Sequence, residues 1–253
     1  MKLEKENQKN NLRPGKIRKF FLFAKDVQMK KGYSYLLLVG IKRVIELLYY
    51  KIFKSKRTFI FQKTVYHYFY HLYNGTWSNE RSVEIPIIWK ILQQNKNKKI
   101  LEIGNVLSHY FNINHDVLDK YEKAPNVINE DIINFNPVTK YDLIVSISTF
   151  EHIGWDEAPR EPKKVYHSIE KVKKILNKNG MAIITIPFGY NLDMDQLLLA
   201  KIIKFSKQYY LKKISQNNDW VEVDWDSIKE TKFNYPYSYA NGLIIGIIER
   251  QME

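Results

Sequence analysis

Three carboxylates, Glu102, Asp119 and Asp131, stand 17 and 12 residues apart in the middle of the chain, each in or just after a short apolar run. The runs are Ile100–Ile103, closed by Gly104; Val117-Leu118, closed by Asp119; and Val127-Ile128, leading to Asp131. A fourth, Tyr141–Ser148, leads into Thr149-Phe150-Glu151-His152. In an open parallel sheet, ligands bind outside the carboxyl ends of the strands, where the strand order reverses. Acids at those ends therefore line a crevice and can hold the polar groups of a cofactor. An imidazole titrates near neutral pH, which makes His152, just past the fourth run, a candidate for moving a proton; Glu151 is placed to orient it or to be the base itself. The competing readings are that the acids cap loops or pair with lysines and that His152 caps the following turn. Asp142, which opens its strand at the opposite edge, reads as structural.

The elements that must position these residues alternate. After the polar spacer 95–99 come the four apolar runs, the last a near-continuous stretch suited to a sheet buried on both faces. Residues 162–177 then read as a helix with Val165, Ile169, Val172 and Leu176 on one face, ended at Asn179-Gly180. Met181–Ile186 is a fifth strand. A helix follows over 193–210, with Leu197, Leu198, Ile202 and Phe205 inward, and then strands at 220–225 and 243–249. Upstream, Ser78 or Asn79 caps a helix that runs from Glu80 to Gln94 through Pro86, and the aromatic stretch 58–73 forms one or two short strands or a cover.

Length, charge and composition bound the function. A chain of 253 residues suits one α/β domain with a small appendage, and 45% hydrophobic residues are enough to bury a full core. With no cysteine, disulfides, thiolate metal sites and cysteine nucleophiles are excluded; the histidines show no metal spacing, so no metal is expected. Residues 1–63 hold 17 Lys plus Arg against 4 Asp plus Glu, whereas residues 64–253 hold 23 of each sign. The whole net charge of +13 thus belongs to an N-terminal extension, 1–63, and the remainder, 64–253, is a neutral domain. Within the extension, residues 1–19 read as a polar arm, and Tyr33–Phe53 as a helix with Leu37, Ile41, Val44, Leu48 and Ile52 on one side. This face has three readings: packing on the domain, lying on an anionic membrane surface through residues 33–57, or forming part of an RNA-binding arm. The first twenty residues lack the apolar core of a secretory signal. The longest uncharged stretch near the start, Gly32–Ile41, is about half of the roughly 20 residues a membrane-spanning helix needs. A cytoplasmic protein, peripheral at the inner face of the membrane, is the expectation.

From the strand-end acids through Asn179–Pro187, the chain resembles the class I S-adenosylmethionine-dependent methyltransferases, over roughly residues 98–250. More narrowly it resembles uncharacterised methyltransferases of surface-polysaccharide biosynthesis, through Tyr-Asn-Gly-Thr-Trp-Ser-Asn-Glu-Arg at 73–81 and Glu-His-Ile-Gly-Trp-Asp at 151–156. The resemblance implies an α/β fold, a Rossmann-like doubly wound sheet of seven strands, here with the basic amphipathic helical extension in front. It implies S-adenosylmethionine as cofactor and assigns roles. Gly104 and Asn105 form the turn beside the methionine part, with Glu102 beneath it. Asp119 accepts from the ribose hydroxyls; Asp131 meets the adenine amino group while Ile132 packs on the ring; Ser148 and Thr149 line the methionine side. His152 and Glu151 are the candidate catalytic pair. Trp77, Glu80 and Arg81 form a lid or substrate contact, Arg81 holding a carboxylate bidentately or simply pairing with Glu84 or Glu80. Trp155 and Asp156 touch substrate.

The chemistry so implied is methyl transfer to an oxygen of a glycan or other small acceptor. The first turn has one glycine where the family has a Gly-x-Gly-x-Gly loop, and the segment 105–116 leaves room only for a short first helix. A non-catalytic scaffold of the same fold, or a membrane-surface binding protein, therefore stands as the alternative. A dinucleotide-dependent dehydrogenase would need Gly-x-Gly-x-x-Gly at that turn, which is absent, and a nucleic-acid methyltransferase finds little positive charge on the neutral domain. The sequence does not give the oligomeric state.

Overall fold

The computed structural model describes residues 16–250, with side chains from Ser34 onward apart from Leu36; most of the expected polar arm, residues 1–15, lies outside the described residues. Helix α1 spans Lys16–Phe53. A hairpin follows, β1 (Thr58–Phe61) paired antiparallel with β2 (Thr64–His67). Its turn, Gln62-Lys63, takes positive φ at both residues, and the boundary expected after residue 63 falls within it. Helix α2 (Arg81–Gln94) begins where Asn79 Oδ1 accepts the Arg81 N–H at 3.1 Å. It runs unbroken through Pro86, which has no N–H for the Ser82 carbonyl; the Phe69 N–H donates to that carbonyl instead, at 2.9 Å.

The main sheet is built from β3 (Ile100–Ile103), β4 (Asp116–Leu118), β5 (Val127–Ile128), β6 (Tyr141–Ile147), β7 (Leu176–Phe188), β8 (Lys207–Lys213), β9 (Trp220–Val223) and β10 (Gly242–Glu249). Its order is β5-β4-β3-β6-β7-β10-β8-β9. The first five strands are parallel, and β10 runs antiparallel to both neighbours. This is a Rossmann-like doubly wound arrangement extended by an antiparallel wing, with eight strands where seven are expected; β9 is the added edge. The order reverses between β3 and β6, which puts the ligand crevice at their carboxyl ends.

Alternation along β6 divides the core. Leu143, Val145 and Ile147 pack with Val83, Ile87 and Ile88 of α2 on one face. Ile144 packs on the other face with Val165, Ile169 and Val172 of helix α3 (Lys164–Ile175). Each such side chain contributes about 1.5–3 kcal/mol by leaving water. Between β3 and β4 the only helical piece is one 3₁₀ turn, Leu107–His109, the limit of the short crossover that the sequence requires.

The expected helix over 193–210 is only half formed. Helix α4 covers Leu192–Leu199; Lys201 then takes positive φ, Ile203 instead of Ile202 is buried, and 207–213 becomes β8. The Tyr-rich segment gains a full register against β10, and pairing in a buried sheet outweighs helix periodicity. The expected strand over 220–225 stops at Val223, where Asp224 caps a one-turn helix, α5 (Trp225–Ile228).

On α4, Asp195 is buried, its Oδ2 accepting the Gly189 N–H at 3.1 Å. Burial pushes its carboxyl up to about 7. The folded chain thus holds this proton more tightly than the unfolded one. The associated stability is complete below the unfolded value and is lost as pH rises through about 7. Asp195→Asn, which mimics the protonated group, is expected to raise the melting temperature by about 5 °C at alkaline pH and to change it little in acid. Thermal unfolding at the two pH values checks this.

Candidate functional site

A crevice enclosing about 240 Å³ opens at the reversal point, lined by the segments that leave β3, β4, β5 and β6. On its lining Gly104 holds φ +88, and a Cβ there would stand 2.2 Å from Thr149 Oγ1. The glycine is thus required by the close approach of the loop after β6, independently of any ligand. Glu102 lies buried beneath this turn. Its Oε1 accepts the N–H groups of Val106 and Leu107 at 2.9 and 2.8 Å, and Oε2 meets His115 Nε2 at 3.0 Å. It shapes the turn from below and does not line the crevice.

Asp119, at the tip of β4, is locked by three backbone donors. Oδ1 accepts from Tyr121 and Glu122 at 2.8 and 2.7 Å, and Oδ2 from Asn105 at 3.0 Å. A carboxylate has about four acceptor positions, so it retains capacity for a ligand hydroxyl. The Asn105 side chain donates to Glu122 Oε1 at 3.0 Å and accepts from Ser108 Oγ, so this residue meets the crevice mainly through its backbone. Ile132, Leu118 and Ile153 supply apolar walls.

Asp131 lies on the lining but is engaged: its Oδ2 is 2.9 Å from Lys120 Nζ and 2.7 Å from Lys164 Nζ. Burial alone would raise its carboxyl, yet the two lysines hold it below the usual range. Glu157 contacts the same lysines at 3.0 and 2.6 Å, tying the rim after β4 to the loop after β6. A free Asp131 carboxylate facing an adenine amino group is not what this arrangement offers.

Arg81 enters from α2 with its guanidinium on the lining. Nη1 donates to Glu84 Oε2 at 3.1 Å and to the Ile147 carbonyl at 2.8 Å. Both expected roles are therefore geometrically joined, since the ion pair with Glu84 fixes the guanidinium at the crevice. Glu84 is fully buried and was legible in the sequence only as an ordinary partner for Arg81. Its Oε1 accepts from Ser148 Oγ and Thr185 Oγ1 at 2.5 and 2.6 Å. This occupies the Ser148 hydroxyl and holds a residue of φ +39.

The other expected lid residues are elsewhere. Trp77 is buried under α1, stacked with Tyr50 at 6.2 Å and beneath the Arg43 guanidinium. Glu80 is buried, accepts the Ala240 N–H, and faces Lys213. Aromatic packing and the helix start claim both before either reaches the crevice. Trp155 is covered by Arg160, whose guanidinium carbon lies 3.6 Å from the ring centroid.

Also on the lining, His152 Nδ1 lies 2.8 Å from Asp156 Oδ2, to which the Tyr190 hydroxyl also donates at 3.0 Å. The Tyr190 ring stands edge-on to the imidazole at 4.8 Å. Asp156 thus takes the orienting position expected of Glu151. Glu151 is 3.5 Å from His152 Nε2, and its buried Oε2 has no hydrogen-bond partner. Burial pushes the Glu151 carboxyl up to about 7, against the pull of His152. Tyr190 lies 38 residues after His152, and no local signal points to it.

Six carboxylates (Asp119, Glu122, Glu130, Asp131, Asp156 and Glu157) line the crevice against two cationic side chains, Arg81 and Lys120. Such a field favours a ligand carrying positive charge and opposes a pyrophosphate. Among the described residues, no cluster of three metal-ligating side chains is present.

No family profile and no curated protein matches the chain. Among solved structures, it is similar to the N-methyltransferase NodS from Bradyrhizobium japonicum WM9 in complex with S-adenosylhomocysteine, at 9% identity over 70% of this chain and 95% of that one, TM-score 0.38. It is also similar to a S-adenosylmethionine-dependent methyltransferase from Clostridium acetobutylicum, at 12% identity over 84% and 100%, TM-score 0.35. A possible histamine N-methyltransferase from Thermotoga maritima gives 12% over 63% and 87%, TM-score 0.39.

Proposed function

We propose that the chain is a S-adenosylmethionine-dependent methyltransferase acting on an oxygen of a glycan or other small acceptor. The observation that carries this reading is the acidic crevice at the β3/β6 reversal, lined by both Asp119 and Arg81. The donor set fits the cofactor part by part. Asp119 retains an acceptor position for a ribose hydroxyl, and Leu118, Ile132 and Ile153 offer apolar walls for a purine. The Arg81 guanidinium suits an amino-acid carboxylate, and the surplus of carboxylates suits a sulfonium.

When bound, S-adenosylmethionine supplies an electrophilic methyl group. The protein's own part is to orient the acceptor and remove its proton. Asp156 and Tyr190 hold the His152 ring from the Nδ1 side, and Nε2, which has Glu151 Oε1 at 3.5 Å, is the nitrogen that takes the hydroxyl proton. His152→Ala is expected to lower turnover by about 10²–10⁴ with cofactor affinity unchanged. Glu151→Gln is expected to retain turnover within about tenfold, because a carboxyl pushed up to about 7 is already largely protonated below that pH. Transfer of labelled methyl to a panel of free and lipid-linked sugars reads both. An acceptor from surface-polysaccharide biosynthesis, met at the inner face of the membrane, belongs to the same reading.

Calorimetric titration of S-adenosylmethionine and S-adenosylhomocysteine into the purified chain tests the assignment. Micromolar binding supports it. No binding would sink it and leave the non-catalytic scaffold.

A further inference from the structure

Half of the exposed large hydrophobic side chains among the described residues are on α1. Leu37, Ile41, Val44, Leu48 and Ile52, the face that packing on the domain would bury, are 66%, 47%, 45%, 50% and 65% exposed. The helix meets the domain through other residues: Leu47 and Tyr50 pack on the α2-side core, and Arg43 lies over Trp77. At about 100° per residue, the exposed stripe, which also takes in Leu38, Ile45 and Tyr49, occupies a sector of about 140° centred between Ile41 and Ile52 and points roughly 160° away from the domain-facing residues. The stripe therefore cannot close onto the domain without releasing the contacts that α1 already makes.

Charge decides what covers it. Lys42 and Lys51, both exposed, fall on the two borders of the stripe, and residues 1–63 as a whole carry 17 basic against 4 acidic side chains. A second copy would bring the same excess of positive charge against itself. A broad stripe also exceeds the narrow seam of a two-stranded coil. RNA would meet apolar side chains where it needs cations. An anionic bilayer satisfies both parts at once, with apolar side chains at the acyl boundary and flanking lysines at lipid phosphates. Among the described residues, no helix is long and apolar enough to cross a membrane, so the helix would lie in the plane of the surface.

We propose that α1 docks the protein on an anionic membrane surface, its stripe from Leu37 to Ile52 embedded at the acyl boundary and its domain-facing side carrying the α/β domain above the lipid. Vesicle binding is read without cofactor or acceptor, so this proposal and the methyl-transfer reading fail separately.

The test is flotation of the full chain with phosphatidylcholine vesicles containing about a third phosphatidylserine, and with pure phosphatidylcholine. Ile45→Asp/Leu48→Asp is the stripe variant and Lys42→Glu/Lys51→Glu the border variant. All four positions are exposed, so the variants should keep the parent's melting temperature, which is measured alongside. The expected result is flotation with anionic vesicles that falls at least tenfold in the stripe variant and severalfold both in the border variant and on pure phosphatidylcholine. No flotation of the parent chain, or equal flotation of the stripe variant, overturns the proposal. So does gel filtration showing a dimer that the stripe variant dissociates, which assigns the stripe to a second copy. Tight binding of an RNA oligonucleotide that blocks flotation overturns it as well.

Discussion

Asp119→Ala is expected to weaken S-adenosylhomocysteine binding by about ten- to a hundredfold in calorimetry. The charge-assisted hydrogen bond that the remaining acceptor position can make to a ribose hydroxyl, contributing about 1.5–3 kcal/mol, is lost, and each 1.4 kcal/mol is tenfold in affinity. The carboxylate also accepts from Asn105, Tyr121 and Glu122, so the variant releases the turn that carries the crevice wall. Asp119→Asn separates the two effects. Its amide oxygen keeps the pair of bonds to Tyr121 and Glu122, while its NH₂ meets the Asn105 N–H donor to donor and offers the ligand hydroxyl no acceptor. If the role is ligand binding, Asn loses affinity nearly as Ala does while melting close to the parent. An affinity that follows the melting temperature instead, recovering with stability, would reduce Asp119 to a loop anchor.

The strand-end acids were legible because each follows an apolar run too short to be a helix, and a parallel sheet buried on both faces gives such runs no polar alternation. The sheet order and the crevice follow from that pattern. What the sequence hid is set by contacts between distant segments. Asp156 instead of Glu151 orients His152 because the loop after β6 doubles back at Gly154, where a Cβ would stand 2.2 Å from the Glu161 carbonyl. Trp77 looks like a lid residue by position, yet a stack with Tyr50, 27 residues upstream, removes it. The Lys120–Asp131–Lys164–Glu157 cluster joins four separate segments, and no periodicity encodes it. The β8 segment misled as a helix because its Leu-rich start is one; pairing with β10 on one side and β9 on the other makes the remainder a strand.

Glu84 is the sharpest case of a hidden role, and Glu84→Ala is expected to be the most destabilising single change considered. In sequence it is an i,i+3 partner of Arg81, a pairing that contributes a few tenths of a kcal/mol on an exposed helix. Here the pair is buried at 3.1 Å, and Glu84 also takes the hydroxyls of Ser148 and Thr185, 64 and 101 residues away. Removing one partner of a buried ion pair costs about 3–5 kcal/mol because the other charge is left uncompensated. For a chain of this size that lowers the melting temperature by about 10 °C. Glu84→Gln keeps an acceptor for the two hydroxyls but not the charge, and should fall between parent and Ala. Arg81→Leu/Glu84→Leu removes both charges and should recover part of the loss, so the double-mutant cycle should give a coupling of about 2 kcal/mol or more. In Glu84→Ala, Ser148 is no longer held at positive φ beside the Arg81 guanidinium, so that variant should also weaken S-adenosylhomocysteine binding while the chain is still folded. A melting temperature within 2 °C of the parent for Glu84→Ala would show that Arg81 finds solvent or another acid. The crevice would then not depend on this pair for its floor.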